Sequence, residues 1–276
     1  MRRYSLRDDQ WERIKDLLPG REGYVGGTAV NNRLFVEAVL YRYRAGIPWR
    51  DLPARFGDWK NVHRRLRRWC ESGVIERIFR YLAADYDNEY MMIDSTIVRA
   101  HQHSAGALKK GARNQAIGRS RGGLTTKIHA ICDALGNPVE LGITPGQDAD
   151  ITQAEPLLEN IEPDAFLADK AYDADRLIDR LIQRGITPVI PPKRNRTTRR
   201  KTDFSLYRER NLVERFFNKL KQFRAIATRY DKLKSTFLAA VQFASIIILL
   251  RLRTHSQNKT VAARQTAEKK TVGHLS

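Results

Sequence analysis

Apolar residues recur at helical spacing through roughly the first 85 positions of the chain. Trp11, Ile14, Leu17 and Leu18 form a stripe behind Ser5 and Asp8, a spacing that resembles a cap, and the stripe stops at Pro19-Gly20. A glycine-rich loop runs on to Gly27. Leu34, Phe35, Ala38, Val39, Tyr41 and Tyr43 then repeat at helix spacing up to the break at Gly46-Ile47-Pro48. Arg50 to Gly57 reads as a short helix, Asp58-Trp59-Lys60 as a turn and Asn61 to Glu71 as a second helix. That second helix carries Arg64, Arg65, Arg67 and Arg68. Two short helices around a glycine turn, the second one basic, suggest a helix-turn-helix whose second helix would lie in a major groove. A solvated basic helix in an ordinary bundle would show the same pattern.

At Glu89 the pattern changes to short apolar runs. Tyr90 to Ile93 ends at Asp94, Lys127 to Cys132 forms a second run, and Val139 to Thr144 a third, with a turn from Asp133 to Pro138 that makes the last two a hairpin. Asp150 to Asn160 reads as a helix, Ala165 to Ala168 as a strand ending at Asp169, Ala174 to Arg184 as a helix and Thr187 to Ile190 as a fifth strand. Three strands followed by helix, strand, helix and strand make a mixed α/β sheet. Leu212 to Lys221 and Phe237 to Leu250 add helices. The most apolar stretch, Ser235 to Leu250, is 16 residues long and interrupted by Gln242 and Ser245. It is too short to span a bilayer and reads as a buried core helix, so no membrane partner is expected. The pattern divides the chain into a helical part at 1–88, a mixed-sheet part at 89–252 and a polar, basic tail at 253–276 that is expected to be disordered.

Composition adds a partner. Of 276 residues, 50 are Lys or Arg and 31 Asp or Glu, a net charge of +19 on a chain that is 42% apolar. Such a surface attracts a polyanion. Cys70 and Cys132 are far apart, which excludes a disulfide scaffold and a cysteine zinc site. The start lacks an apolar signal core, so the cytoplasm is the expected compartment.

Candidate chemistry begins with Asp94 and Asp169, each at the end of an apolar run. The strand ends of an α/β sheet hold side chains rigidly beside a cleft, and two carboxylates there could share a hard divalent cation. An Asp after a strand also serves turns. A third carboxylate stands in Tyr207-x2-Arg210-x3-Glu214-x6-Lys221. At about 100° per residue, Glu214 and Lys221 lie about 20° short of two full turns apart, so they share a helix face, and Arg210 joins them if the helix starts early enough. Glu214 could complete a metal triad while Arg210 and Lys221 bind phosphates, or the group could be ordinary surface ion pairing. From Ser95 to Cys132 there is no acidic residue, while Arg99, Lys109, Lys110, Arg113, Arg119, Arg121 and Lys127 are all basic. Such a run can follow a phosphate backbone. A further run, Lys193 to Lys201, precedes the Glu214 helix and reads as a second DNA clamp or a charged loop. His101 and His103 have an H-x-H spacing that more often means exposed histidines than a metal site. His129 reads as a satisfied strand residue, and Lys170 and Asp173 as groups that support Asp169.

Four motifs, in this order, carry a resemblance that covers most of the chain: Gly46-Ile47-Pro48-Trp49-Arg50-Asp51-Leu52-Pro53, Asp94-Ser95-Thr96-Ile97-Val98-Arg99-Ala100-His101, Gly118 to Lys127, and Ala168-Asp169-Lys170-Ala171-Tyr172-Asp173. Together with the Tyr-x2-Arg-x3-Glu-x6-Lys signature, they resemble bacterial insertion-sequence transposases of family five, which have an Asp-Asp-Glu active site. The resemblance implies an RNase H-like catalytic domain preceded by an all-α, helix-turn-helix-like DNA-binding domain. It places Asp94 on the first strand, Asp169 after the fourth and Glu214 on a following helix, and it assigns these three to catalysis and to Mg²⁺, with Mn²⁺ able to substitute. Tyr207, Arg210, Lys221, Arg119, Arg121, Lys127, Arg64, Arg65, Arg67 and Arg68 become DNA-binding candidates. The implied partners are the element's terminal inverted repeats, a target duplex and a second copy of the chain, in a bacterial, nucleoid-associated setting. A non-catalytic repressor, an RNase H-like nuclease that does not join DNA, and a recombinase with a covalent DNA intermediate are the rival readings.

Overall fold

The structure is a computed structural model that describes residues 4–21, 27–105, 115–196 and 200–251. The tail 253–276, together with Lys109, Lys110, Arg113 and Arg199, lies outside the described residues. Helix α1 (Asp8–Glu12) opens with the Arg7 N–H donating to Gln10 Oε1 at 3.1 Å, so its start is set by Arg7 and Gln10 rather than by Ser5 and Asp8. The stripe behind it breaks into a 3-10 turn, Lys15–Leu17. Helix α2 (Asn32–Ala45) is capped by Asn31, whose Oδ1 accepts from the Leu34 N–H at 2.8 Å. It ends at Gly46, with φ +69°, where an added Cβ would stand 2.7 Å from Cβ of Arg224. Only glycine suits both the left-handed backbone and that close approach.

The helix expected over Arg50 to Gly57 is instead two 3-10 turns, Trp49–Asp51 and Ala54–Phe56. Pro53 has no amide to donate and drives Leu52 into an extended conformation, which breaks a helix there. Helix α3 (Trp59–Glu71) starts two residues earlier than its apolar spacing indicates, because Asp58 caps it by accepting from the Lys60 N–H at 2.9 Å. Helix α4 (Val74–Ala83) completes the N-terminal group.

Among the described residues seven strands form one sheet: β1 (Tyr90–Ala100), β2 (Gly118–Ser120), β3 (Gly123–Cys132), β4 (Pro138–Pro145), β5 (Ala165–Leu167), β6 (Thr187–Val189) and β7 (Thr228–Arg229). The central order is β4, β3, β1, β5, β6. The β4–β3 and β3–β1 pairs are antiparallel, the β1–β5 and β5–β6 pairs parallel. The mixed sheet expected from the sequence is therefore present, and the β3–β4 hairpin closes around Asp133, whose Oδ1 accepts from the amides of Leu135 and Asn137 at 3.0 and 2.7 Å. Strand β1 does not end at Asp94. Its backbone continues to pair with β3 from Ser95 to Arg99, a half-exposed stretch whose polar residues hide it from an apolar reading. Likewise Asp150 to Asn160 is a 3-10 turn (Asp150–Gln153) and then a short α6, because Pro156 stands inside α6's first turn without an amide.

Short α5 (Gln102–Ala105) follows β1, α6 (Ala154–Leu158) and α7 (Asp175–Gln183) flank β5, and α8 (Phe204–Tyr207), α9 (Asn211–Lys221), α10 (Arg224–Ala227) and α11 (Lys234–Leu249) complete the chain. One face of the sheet, with Met92, Ile128 and Ala130, shares a single apolar cluster with α9, α11 and the N-terminal helices. The other, with Met91, Ile93 and Ile131, is covered by α6 and α7. Helix α11 is buried almost throughout, including Gln242 and Ser245, the latter donating to the Val241 carbonyl at 2.9 Å. Each large apolar side chain it buries contributes roughly 1.5–3 kcal/mol. The expected core helix is confirmed.

Arg229 is fully buried beside this core. Its guanidinium donates to the carbonyls of Gln115 and Asp231 at 2.8 and 2.9 Å and to Thr126 Oγ1 at 2.8 Å, and it lies 4.8 Å over the Phe237 ring. Burial pulls its pKa down to about 10.

Candidate active site

Two parallel strands bring the aspartates together. The last β1–β5 register pair is Met92 with Leu167, so two residues on along each chain Asp94 and Asp169 stand abreast, just past the end of β5 and midway along β1. Asp94 Oδ1 accepts from the Ser95 N–H at 2.8 Å. Asp169 Oδ1 accepts from the Ala171 N–H at 2.8 Å and so caps the 3-10 turn Lys170–Tyr172. The third carboxylate arrives on α9, which packs against β1 and β3. Val213, Phe216, Phe217 and Leu220 bury one side of α9 and turn Glu214, in its first turn, outward. A carboxylate in a first turn is favoured by the helix dipole.

Arg210 joins Asp94 to Glu214. Its NH1 donates to Asp94 Oδ2 and its NH2 to Glu214 Oε1, both at 2.7 Å. Arg210 precedes α9 in a 3-10 turn with helical dihedrals, which settles whether the helix starts early enough for it to share Glu214's face. Tyr207 sets its ring centre 5.9 Å from the Arg210 guanidinium carbon. Burial raises the Asp94 pKa; the Ser95 amide and the Arg210 charge oppose the rise and the Asp169 charge adds to it. The Tyr172 hydroxyl is buried without a hydrogen-bond partner, and burial, then the charges of Asp150, Asp94 and Asp169, push its pKa well up.

The donor set is all oxygen, which suits a hard divalent cation, and Asp94 and Asp169 are like charges side by side that a cation would relieve. Among the described residues no three His, Cys, Asp or Glu side chains converge closely enough to hold a metal. Arg210 stands between two of the candidates.

The other candidates fall into two groups. Lys221 is exposed at the end of α9, and Arg119 and Arg121 are exposed at the β2–β3 turn. Arg64 and Arg68 are exposed on α3, with Arg64 3.4 Å from Asn61 Oδ1. Others are already engaged. Lys127 Nζ lies 2.9 Å from Asp150 and donates to the Asp148 carbonyl at 2.7 Å. Arg67 pairs with Glu71 at 2.7 Å. Arg65 turns inward, 4.2 Å over the Phe35 ring and 5.1 Å over Trp69, and burial lowers its pKa. His101 stacks on Tyr230 and stands edge-on to His103, with ring centres 4.7 and 4.8 Å apart. His129 is fully buried with Nε2 2.8 Å from Thr144 Oγ1, and burial pushes its pKa down to about 4, a neutral strand residue.

Asp173 is more than a neighbour of Asp169. Its side chain is wholly buried and accepts from the Lys193 N–H at 2.7 Å, from Arg196 Nε at 2.7 and 2.9 Å, and from Arg200. Arg196 also reaches Asp175. The partners lie 20–27 residues downstream, beyond any local pattern.

Residues 6–79 match the family described as "Putative transposase of IS4/5 family", and residues 86–249 match the family described as "Transposase DDE domain". A "Putative transposase for insertion sequence element IS6501" from Brucella ovis is 39% identical over 130 residues, 46% of this chain and 100% of the relative. An "Uncharacterized protein y4sN" from Sinorhizobium fredii is 54% identical over 110 residues, 40% of this chain and 88% of that one. The piggyBac transposase synaptic complex with hairpin DNA aligns over 92% of this chain and 72% of that one, with 12% identity and a TM-score of 0.47. The family match over residues 86–249 makes the chain a member of the transposase DDE domain family, a class of enzymes. More particularly, it is an insertion-sequence DDE transposase. That family membership carries a general dependence on a divalent metal.

Proposed function

We propose that Asp94, Asp169 and Glu214 are the catalytic carboxylates, that they hold Mg²⁺ or Mn²⁺, and that they cut DNA at the element's terminal inverted repeats and transfer the 3′-hydroxyl ends into a target duplex. The observation that carries this reading is the register that sets Asp94 beside Asp169, with Glu214 tied to Asp94 through Arg210. When bound, a divalent cation pair supplies Lewis acidity at the scissile phosphate and lowers the pKa of an attacking water. The chain's own residues do the rest. Ser95 and Ala171 amides hold one oxygen of each aspartate, so both carboxylates are oriented before substrate arrives. Arg210 and Lys221 offset the clustered negative charge and meet phosphates, with Tyr207 beside the Arg210 guanidinium. Arg119 and Arg121, on an exposed turn, follow the backbone of the bound strand, and Arg64 and Arg68 offer the same from α3.

In this reading the sheet of residues 89–252 is RNase H-like, the helices of 1–88 recognise the inverted repeats, and two copies pair the two ends in a bacterial cytoplasm, on the nucleoid. Purified protein is tested on the DNA flanking the reading frame, with Mg²⁺, Mn²⁺ or EDTA, beside Glu214→Gln. Metal-dependent cutting with a joined product, lost in the variant, is the expected result. Specific binding with neither cutting nor joining in any metal overturns it.

A further inference from the structure

Arg210 is bonded to two of the carboxylates that a divalent cation would need. It spends one guanidinium nitrogen on Asp94 Oδ2 and another on Glu214 Oε1, and its side chain is only 17% exposed. Each contact occupies acceptor capacity that a metal ion would use, and the like charges of guanidinium and metal repel at that range. We infer that Arg210 is a resident counterion that competes with the divalent cation for Asp94 and Glu214, and that a DNA phosphate draws it off. This rests on the reading of Asp94, Asp169 and Glu214 as the metal-holding carboxylates.

Three observations make the exchange physical. First, the acceptors can let go: Glu214 is 54% exposed, and Asp94 keeps its Ser95 hydrogen bond whether or not Arg210 stays. Second, Arg210 stands ahead of α9's first turn on a long, flexible side chain, which can change rotamer with no change in the backbone. Third, a phosphate offers the guanidinium fork the same bidentate geometry as a carboxylate, on a partner the net charge of +19 already attracts. Binding that moves Arg210 onto DNA frees two carboxylates for metal, and by reciprocity metal binding frees Arg210 for DNA. Metal loading is thereby tied to the presence of DNA.

The test reads Mn²⁺ affinity from the signal of free Mn²⁺ in electron paramagnetic resonance, on the full chain, with and without a duplex of the flanking DNA. Wild type is expected to gain about tenfold in Mn²⁺ affinity when the duplex is added, the net worth of about one charge-assisted contact once the phosphate replaces the carboxylates. Arg210→Gln is expected to bind Mn²⁺ about tenfold more tightly than wild type without DNA, and to gain little from DNA. Arg210→Lys keeps the charge and loses the fork, so it should fall between the two. Thermal melts of each variant show that the chain is folded. Arg210→Gln binding Mn²⁺ no better than wild type without DNA overturns the competition. Asp94→Asn separates the two claims. Loss of Mn²⁺ binding in Asp94→Asn with no gain in Arg210→Gln removes only the competition, while Mn²⁺ binding by Asp94→Asn at the wild-type level removes the carboxylate assignment beneath it.

Discussion

Asp94, beside Asp169 on the neighbouring strand, and Asp173, four residues after Asp169, are each bonded to arginine, and they are built for opposite ends. Asp173 is wholly buried and its oxygens are committed to the Lys193 amide, Arg196 and Arg200, which hold its pKa below the usual carboxylate range against the cost of burial. Asp94 is 22% exposed, bonded to a single arginine and one amide, and burial wins, so its pKa lies above that range. A carboxylate saturated with donors is a strut. One left short of donors has room for a cation, which would be stabilised there rather than redundant.

The largest effect expected from breaking the contrast is on the chemistry: Asp94→Asn, or Glu214→Gln, should lower strand cleavage by at least about a thousandfold while gel-shift binding of the DNA end is kept. Cleavage by either variant near the wild-type rate would undo the assignment. Asp173→Asn should instead strike the fold. Urea unfolding is expected to show a loss of about 2–3 kcal/mol, less than for a fully enclosed pair because Arg196 and Arg200 are 18% and 26% exposed.

Acid titration separates the two aspartates by sign. The Asp173 pKa is depressed in the folded chain, so the stability it adds is present above its unfolded pKa of 3.8 and is lost as the pH falls through the folded value. The Asp94 pKa is raised, so ionising it costs stability as the pH climbs from 3.8 through its folded value. Urea midpoints measured across the acid range should therefore show the wild-type advantage over Asp173→Asn shrinking towards low pH. The advantage over Asp94→Asn should shrink towards neutral pH; matching trends in the two would contradict the comparison.

Smaller effects are expected where arginines are exposed. Ala at both Arg119 and Arg121 should weaken DNA binding and flatten the plot of log K against log salt by up to about 2, with little change in stability. Arg67→Ala, which removes only an exposed pair with Glu71, should shift stability by no more than about 0.5 kcal/mol.

Alternation and apolar runs made the sheet and the two aspartates legible, because β5 is an apolar run that stops where Asp169 begins. The length of β1 was not legible, since its second half is held by pairing with β3 and not by its own apolar content. Charge was read least well. Arg65 sits in a basic helix and looks free, yet it covers Phe35 and Trp69. Arg196 and Arg200 look like a clamp for DNA, yet they close on Asp173. Arg229 has no pattern around it that tells its burial, because the Gln115 and Ala116 carbonyls and the Thr126 hydroxyl that hold it lie more than a hundred residues away. Side-chain destinations depend on tertiary contacts, which spacing along the chain does not encode.

Helix α11 is the shared wall of the molecule. It touches α2, α3 and α4 on one side and β4 and α9 on the other, and its last carbonyls are met by Gln10 and Arg13 from the very start of the chain, each at 3.4 Å. The N-terminal helices and the end of α11 are thus stitched together, and α11 also packs on the helix that carries Glu214. A duplex gripped by the N-terminal helices would be held at a set offset from Asp94, as by the jaws of a caliper, so the spacing between a recognised sequence and a cut bond would be a dimension of the core.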